Sequence, residues 1–564
     1  MFNSKNIFFI ILCFVLISCQ TPVKQGNVSE QEEKKENDKI EYVTIRPSIR
    51  AYDEFTAVFS KQDIELDFRK SYFVSEAQLF TGIYEGLFSY HPLTLEPVMA
   101  LAERWRLSDD KKQWTFIIRR NARFSNGDPI RAQDFRNAWI SMIDPELASP
   151  YSSFFDVIEG ARDYRNGNEK DPDKVGIVAE DLRTLVVKLN SPAAFFPAML
   201  CHHSFSPIHY SMIEKQQWSP VNDEEWTPPV TNGPFHIASM NDENIVMQKS
   251  NYYWDNESVS FKKITIKLAT ADEATNLWNS GEARWILGDL NLNTLSDRSG
   301  ILLNVMFATH YYFIRSSEKP WNDHRVRRAM ALVLPWEEIR KNYRMPAETL
   351  IFPVKGYPEV EGINETNYEE ARELMAEAGL KNKEEIQKRN IPELVMRITP
   401  SREAARISIL MATAWKEILG FNVRVEVIPF NRYFDSMRED GFVIGSCTWI
   451  ADFADPYAFL QMWQRDSNLN DARLDDPEYE ALIERSMIEE GDKRLATLAE
   501  AEKLLLDRGV ILPIYYNPAF NVIDTREVDG WYPNALDIHP FKYMSYKTFR
   551  PLPGIANADS LQRF

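Results

Sequence analysis

Cysteine is scarce: the chain has four in 564 residues. Cys13 and Cys19 stand near the N-terminal end, which leaves Cys201 and Cys447 far apart, so neither a disulfide framework nor a CxxC metal site can be assembled. Basic residues are outnumbered by acidic ones, 65 against 83, for a formal net charge of −18, and no basic cluster offers a nucleic-acid surface. Past the N-terminal end no apolar run reaches the ~20 residues a membrane-spanning helix needs, and no tandem repeat is visible. The G-x-S-x-G elbow, the H-E-x-x-H helix and the G-x-x-x-x-G-K-[ST] phosphate loop are all missing, so nucleophilic, zinc-dependent and nucleotide-driven chemistry have no support. Acid pairs such as Asp109-Asp110, Asp475-Asp476 and Asp452 with Asp455 are unavoidable among 83 acidic residues and do not point to a glycosidase or acid protease. The expectation is a protein without catalysis and without a cofactor.

What is present describes a folded protein: 44% hydrophobic residues, 14 Trp and 23 Tyr, in a chain too long for one core. At the N-terminus Lys5 precedes an apolar run over residues 7–17, too short to span a bilayer and fitting the apolar segment of a signal peptide. It ends in Leu16-Ile17-Ser18-Cys19, which resembles the bacterial lipobox and implies lipidation of Cys19. Residues 20–40, almost wholly polar and charged, cannot build a core and read as a flexible tether. An extracytoplasmic, lipid-anchored protein is expected, on the periplasmic face or cell surface of a bacterial membrane.

Period-two patterns predict strands at 113–118, 185–189 and 264–268, so strands dominate the N-terminal half. Asn367 caps a predicted helix that Gly379 stops. A second helix is expected over 401–418, closed by Gly420, followed by a strand in which Val423, Val425 and Val427 alternate with polar residues. Further helices are predicted over 477–489 and 492–507, with an apolar strand at 511–516. Helix, glycine, strand is the grammar of an α/β lobe.

Several stretches occur in an order that carries a family resemblance: Leu79-Phe80-Thr81-Gly82-Ile83-Tyr84-Glu85-Gly86-Leu87, then Leu101-Ala102-Glu103-Arg104-Trp105, Phe124-Ser125-Asn126-Gly127-Asp128-Pro129 and Ala148-Ser149-Pro150-Tyr151. They continue with Val230-Thr231-Asn232-Gly233-Pro234-Phe235, Tyr252-Tyr253-Trp254 and Trp321-Asn322-Asp323-His324-Arg325. Together they resemble the oligopeptide-binding lipoproteins of peptide ABC importers, the family 5 extracellular solute-binding proteins. The resemblance implies an α/β bilobal fold of the periplasmic-binding-protein type (type II, cluster C) with an additional smaller domain. Lobe 1 would comprise 41–97, 222–306 and 520–564, the additional domain 98–221, and lobe 2 307–519, behind a signal peptide at 1–19.

The resemblance further implies a monomer that closes on a peptide held as an extended strand and hands it to membrane-embedded permease subunits. Asp452, in Thr448-Trp449-Ile450-Ala451-Asp452, matches the acid that receives the peptide's α-ammonium. Trp449 matches a pocket tryptophan, Tyr151 and Glu85 align near the ligand, Asn232 and Gly233 lie where the chain nears the cleft, and Phe430 falls where relatives place a pocket tryptophan. Asp455 reads as structural.

Two positions at which relatives hold the ligand carboxylate with basic residues carry Ala404 and Ser446, so that clamp is incomplete; Arg402, Arg406 and Arg438 are nearby in sequence. Ligand length stays open, as do two other readings: a same-fold receptor for an oligosaccharide or metal chelate, or a surface adhesion lipoprotein. Cys201-His202-His203 and His209 fit no standard zinc spacing and read as structural or surface residues.

Overall fold

The computed structural model describes residues 53–547 apart from 216, 221–225, 344, 355, 382 and 389–390. The signal peptide, Cys19 and the tether lie outside the described residues.

A ten-stranded mixed sheet organises the molecule. Its spatial order is Val423–Val427, Leu394–Ile398, Ile444–Ile450, Ile301–Ile314, Ile511–Ile523, Trp285–Leu287, Glu54–Ser60, Lys263–Ala269, Asn244–Lys249, Phe235–Met240. The two central strands are by far the longest, 14 and 13 residues. They run antiparallel to each other, and each has one end in each half of the sheet. The Ile301–Val305 end pairs with Val522–Pro518, beside Trp285–Leu287, while Ala308–Ile314 pairs with Ile444–Ile450. Their ladder is irregular between Val305 and Thr309, opposite Pro518, where a missing N–H cannot continue the hydrogen bonding. These strands link two lobes.

The lobes pack on their own apolar residues. In the first, the period-two strand Lys263–Ala269 turns Ile264, Ile266 and Leu268 inward. In the second, Ile314, Leu394, Met396, Trp415 and Ile514 form a core on one sheet face, and Tyr433, Met437 and Phe442 cover the other. A separate four-stranded antiparallel sheet, Ala102–Leu107, Gln113–Ile118, Thr184–Lys188, Ile177–Ala179, lies within 98–221.

Local signals place most elements. Asn367 accepts the Glu370 N–H and starts Tyr368–Glu377, and Gly379 lies in the left-handed region at φ +77. The helix expected over 401–418 is Arg402–Ala414 followed by a π-turn, Trp415–Leu419, ended by Gly420 at φ +85. The stretch from Leu79 is helical as far as Ile83, among the strands of the N-terminal half. Val423–Val427 is the outermost strand, so Val425 and Val427 remain exposed despite their alternation.

Candidate functional site

The strand Ile444–Ile450 carries the residues toward the site. It pairs with the central strand through Thr309 opposite Trp449 and Ala308 opposite Ile450, and the Ala451 N–H donates to the Phe307 carbonyl at 2.9 Å. The next residue, Asp452, therefore leaves the sheet at a fixed point. Facing it are the helix Val74–Ile83, the segment Tyr84–Tyr90 that follows it, and, from 98–221, Tyr151 and Cys201–His203. Together these enclose a cavity of about 140 Å³.

Asp452 has a side chain 8% exposed. One carboxylate oxygen, Oδ1, lies 3.4 Å from His202 Nε2, and the other, Oδ2, is buried without a hydrogen-bond partner. The Tyr90 hydroxyl donates at 3.1 Å to the main-chain carbonyl of Asp452, not to its carboxylate. Burial pushes the Asp452 carboxyl up, and the His202 hydrogen bond works against that shift. The other named groups of the wall are neutral or already paired. Burial drives the Tyr90 and Tyr151 hydroxyls and the Cys201 thiol far up, keeping them neutral, and drives His203 far down, so its ring is neutral too. Lys542 is already paired: its Nζ meets Glu85 Oε1 at 2.7 Å, with both side chains buried. Burial opposes the Lys542 charge, yet the Glu85 carboxylate wins and holds it above its usual value.

Glu85 thus lines the cavity with its carboxylate fully engaged. Tyr253 donates its hydroxyl to Oε1 at 2.6 Å, and the Trp254 indole N–H donates to Oε2. Asn232 grips the same stretch of backbone, donating to the Glu85 carbonyl at 2.7 Å. At Gly233 an added Cβ would stand 2.4 Å from the Ile83 carbonyl carbon, so only glycine permits this approach. Neither Asn232 nor Gly233 lines the cavity. Trp449 and Tyr151 do; the Trp449 indole donates to the Ala458 carbonyl at 3.2 Å. Phe430 is half out in solvent and one ring removed, stacked on cavity-lining Phe73 at 6.0 Å. Asp455 is held by Arg494 through two hydrogen bonds of 2.8 and 2.9 Å.

Of the three arginines near the incomplete clamp, Arg406 is committed to Glu403 and to the carbonyls of Glu338 and Ile339. Arg438 reaches the hydroxyl of Tyr72, which lines the cavity, and Arg402 is exposed. Ser446 is buried against the Tyr433 hydroxyl. Sequence reasoning missed His202, Tyr90 and Lys542. His202 was in view only as part of a metal-like triplet, and it is 6% exposed and turned to Asp452 rather than at the surface.

Comparison with known proteins places the chain in a family. Residues 96–471 match the family model described as Bacterial extracellular solute-binding proteins, family 5 Middle. The periplasmic oligopeptide-binding protein OppA of Salmonella typhimurium is 29% identical over 490 residues, 83% of this chain and 86% of that protein. The solved structure of the Escherichia coli murein tripeptide binding protein MppA superposes with a TM-score of 0.73 at 25% identity, covering 88% of this chain and 99% of that one. MppA in its unliganded open form superposes less closely, with a TM-score of 0.61 at 24% identity over 88% of this chain and 97% of that one.

Proposed function

Because the chain belongs to the bacterial extracellular solute-binding proteins of family 5, we propose that it is the substrate-binding component of an ABC importer, capturing oligopeptides between its lobes and delivering them to the permease. It does no chemistry on the peptide and leaves ATP hydrolysis to other subunits. It works as a monomer on the outer side of a bacterial membrane, held there by lipid on Cys19 and spaced from it by residues 20–40. Lobe 1 (41–97, 222–306, 520–564) and lobe 2 (307–519) close on the ligand, with 98–221 extending lobe 1. Among the described residues no helix is long and apolar enough to cross a membrane.

One observation carries the peptide reading: Asp452 is a buried carboxylate at a cavity wall, with one oxygen unpartnered, while the cavity's lysine, Lys542, is already paired with Glu85. A buried charge of this kind calls for a counter-ion, and a peptide's α-ammonium supplies one. Tyr151, Trp449 and, at the rim, Phe430 form the aromatic surround of that end of the ligand. Glu85, Asn232 and Gly233 hold the frame on which it sits.

The test uses a synthetic mixture of tri- to pentapeptides, prepared with free and with acetylated N-termini. Free-amine peptides should raise the melting temperature, since ligand at a hundred times its Kd adds about 2.7 kcal/mol, whereas oligosaccharides should not. Asp452→Asn should abolish most of the shift given by free-amine peptides and leave the small shift given by acetylated ones. Equal losses for both sets would remove Asp452 from this role.

A further inference from the structure

The cavity acid has one neighbour able to direct it. We propose that His202 is a positioning residue: its imidazole holds one oxygen of Asp452 through Nε2–H, so that the carboxylate presents its other oxygen to the ligand's amine. The inference rests on the reading that Asp452 meets an α-ammonium.

The tautomer follows from the backbone. His202 precedes the short turn His203–Phe205, and the Ser204 N–H is directed at its Nδ1, 3.4 Å away. With Nδ1 accepting, the ring's proton lies on Nε2, the atom facing Asp452 Oδ1. The ring is also boxed in. Its centroid is 3.9 Å from that of His203, 4.9 Å from that of Tyr151 and 5.6 Å from that of Phe154, so it cannot swing away without moving the wall.

The division between the two oxygens is the second half of the argument. Oδ1 has the imidazole; Oδ2 has nothing and is buried. An arginine in place of His202 would satisfy the carboxylate by itself and compete with the ligand. A single ring N–H orients one oxygen of the acid and leaves the other open. The other titratable groups around the pair do neither: His203, Tyr151, Tyr90 and Cys201 are kept neutral by burial, and Glu85 and Lys542 neutralise each other. Without the His202 donor, burial would push the Asp452 carboxyl further up, toward the protonated form that offers an ammonium no charge.

The experiment measures apparent affinity from the concentration dependence of the melting temperature between pH 5 and 8, with the free-amine and acetylated mixtures, for wild type, His202→Phe and His202→Gln. His202→Phe should bind free-amine peptides about tenfold more weakly at pH 7, with acetylated peptides unchanged, and should lose free-amine binding at a higher pH on acidification. His202→Gln, whose amide can donate, should recover most of the loss. The proposal is overturned if His202→Phe keeps the wild-type preference and acid midpoint, or loses both mixtures alike. If the wild type itself treats the two mixtures equally or binds neither, the ammonium reading fails and this one with it. Should the Phe variant not fold, ¹⁵N-histidine NMR of the wild type decides, and a proton on Nδ1 of His202 overturns the proposal.

Discussion

Glu85 and Asp452 face one cavity, and their surroundings give them opposite work. Glu85 is matched by Lys542, Tyr253 and Trp254, so its carboxylate is a structural anion. Glu85→Ala should cost about 3–5 kcal/mol of stability, because Lys542 is left as an unpaired buried charge; urea unfolding measures this directly. Asp452→Asn should not lower stability at neutral pH, because it removes a carboxylate that burial disfavours. In sequence the two acids resemble each other, both lying in stretches that align near the ligand. What distinguishes them is a lysine 457 residues from Glu85 and a histidine 250 positions before Asp452, and no local pattern encodes such meetings.

At the scale of elements, the cavity rim is an aromatic seam between two helices. Tyr72 and Phe73, at the start of Val74–Ile83, meet the helix Phe430–Arg438: Tyr72 stacks on Phe434 at 6.1 Å and 11°, and Phe73 stacks on Phe430 and meets Phe434 edge-on at 6.2 Å. On the proposed lobe boundaries these contacts cross the cleft, so closure on a ligand would draw on them. Phe434→Ala should therefore weaken peptide affinity roughly three- to tenfold, at about 0.5–1.5 kcal/mol per ring pair, with little change in the unliganded melting temperature; titration calorimetry separates the two. The helix itself was not anticipated, and Phe430 was placed only by resemblance. Elements with strong local grammar, such as the Asn367-capped helix and the strand from Gln113, were legible because caps and alternation act within a few residues. The strand expected at 511–516 runs on to Ile523, because Ile301–Ile314 and Trp285–Leu287 extend its ladder past Pro518.

For the molecule as a whole, two buried acids make stability depend on pH. Burial pushes Asp471 up to about 7 against the pull of Arg315, Arg438 and Arg473, and pushes Glu502 up to about 7 against hydrogen bonds from Ile351 and Tyr357. A folded-state acid pKa above the unfolded value means the native state holds more protons, so these groups lower stability as pH rises from about 4 to about 7. The double variant Asp471→Asn, Glu502→Gln should melt close to wild type at pH 4 and progressively above it up to about pH 7, where the difference levels off, as read by calorimetry.

The order of short motifs along the chain, its acidity and its lack of catalytic signatures determined the α/β class, the family and the expectation of a receptor, because each is written in residue types and spacings. Tertiary structure alone decided which acid is paired and which is left open. Coulomb attraction and desolvation act over a few ångströms of space, and the residues that supply them come from segments hundreds of positions apart.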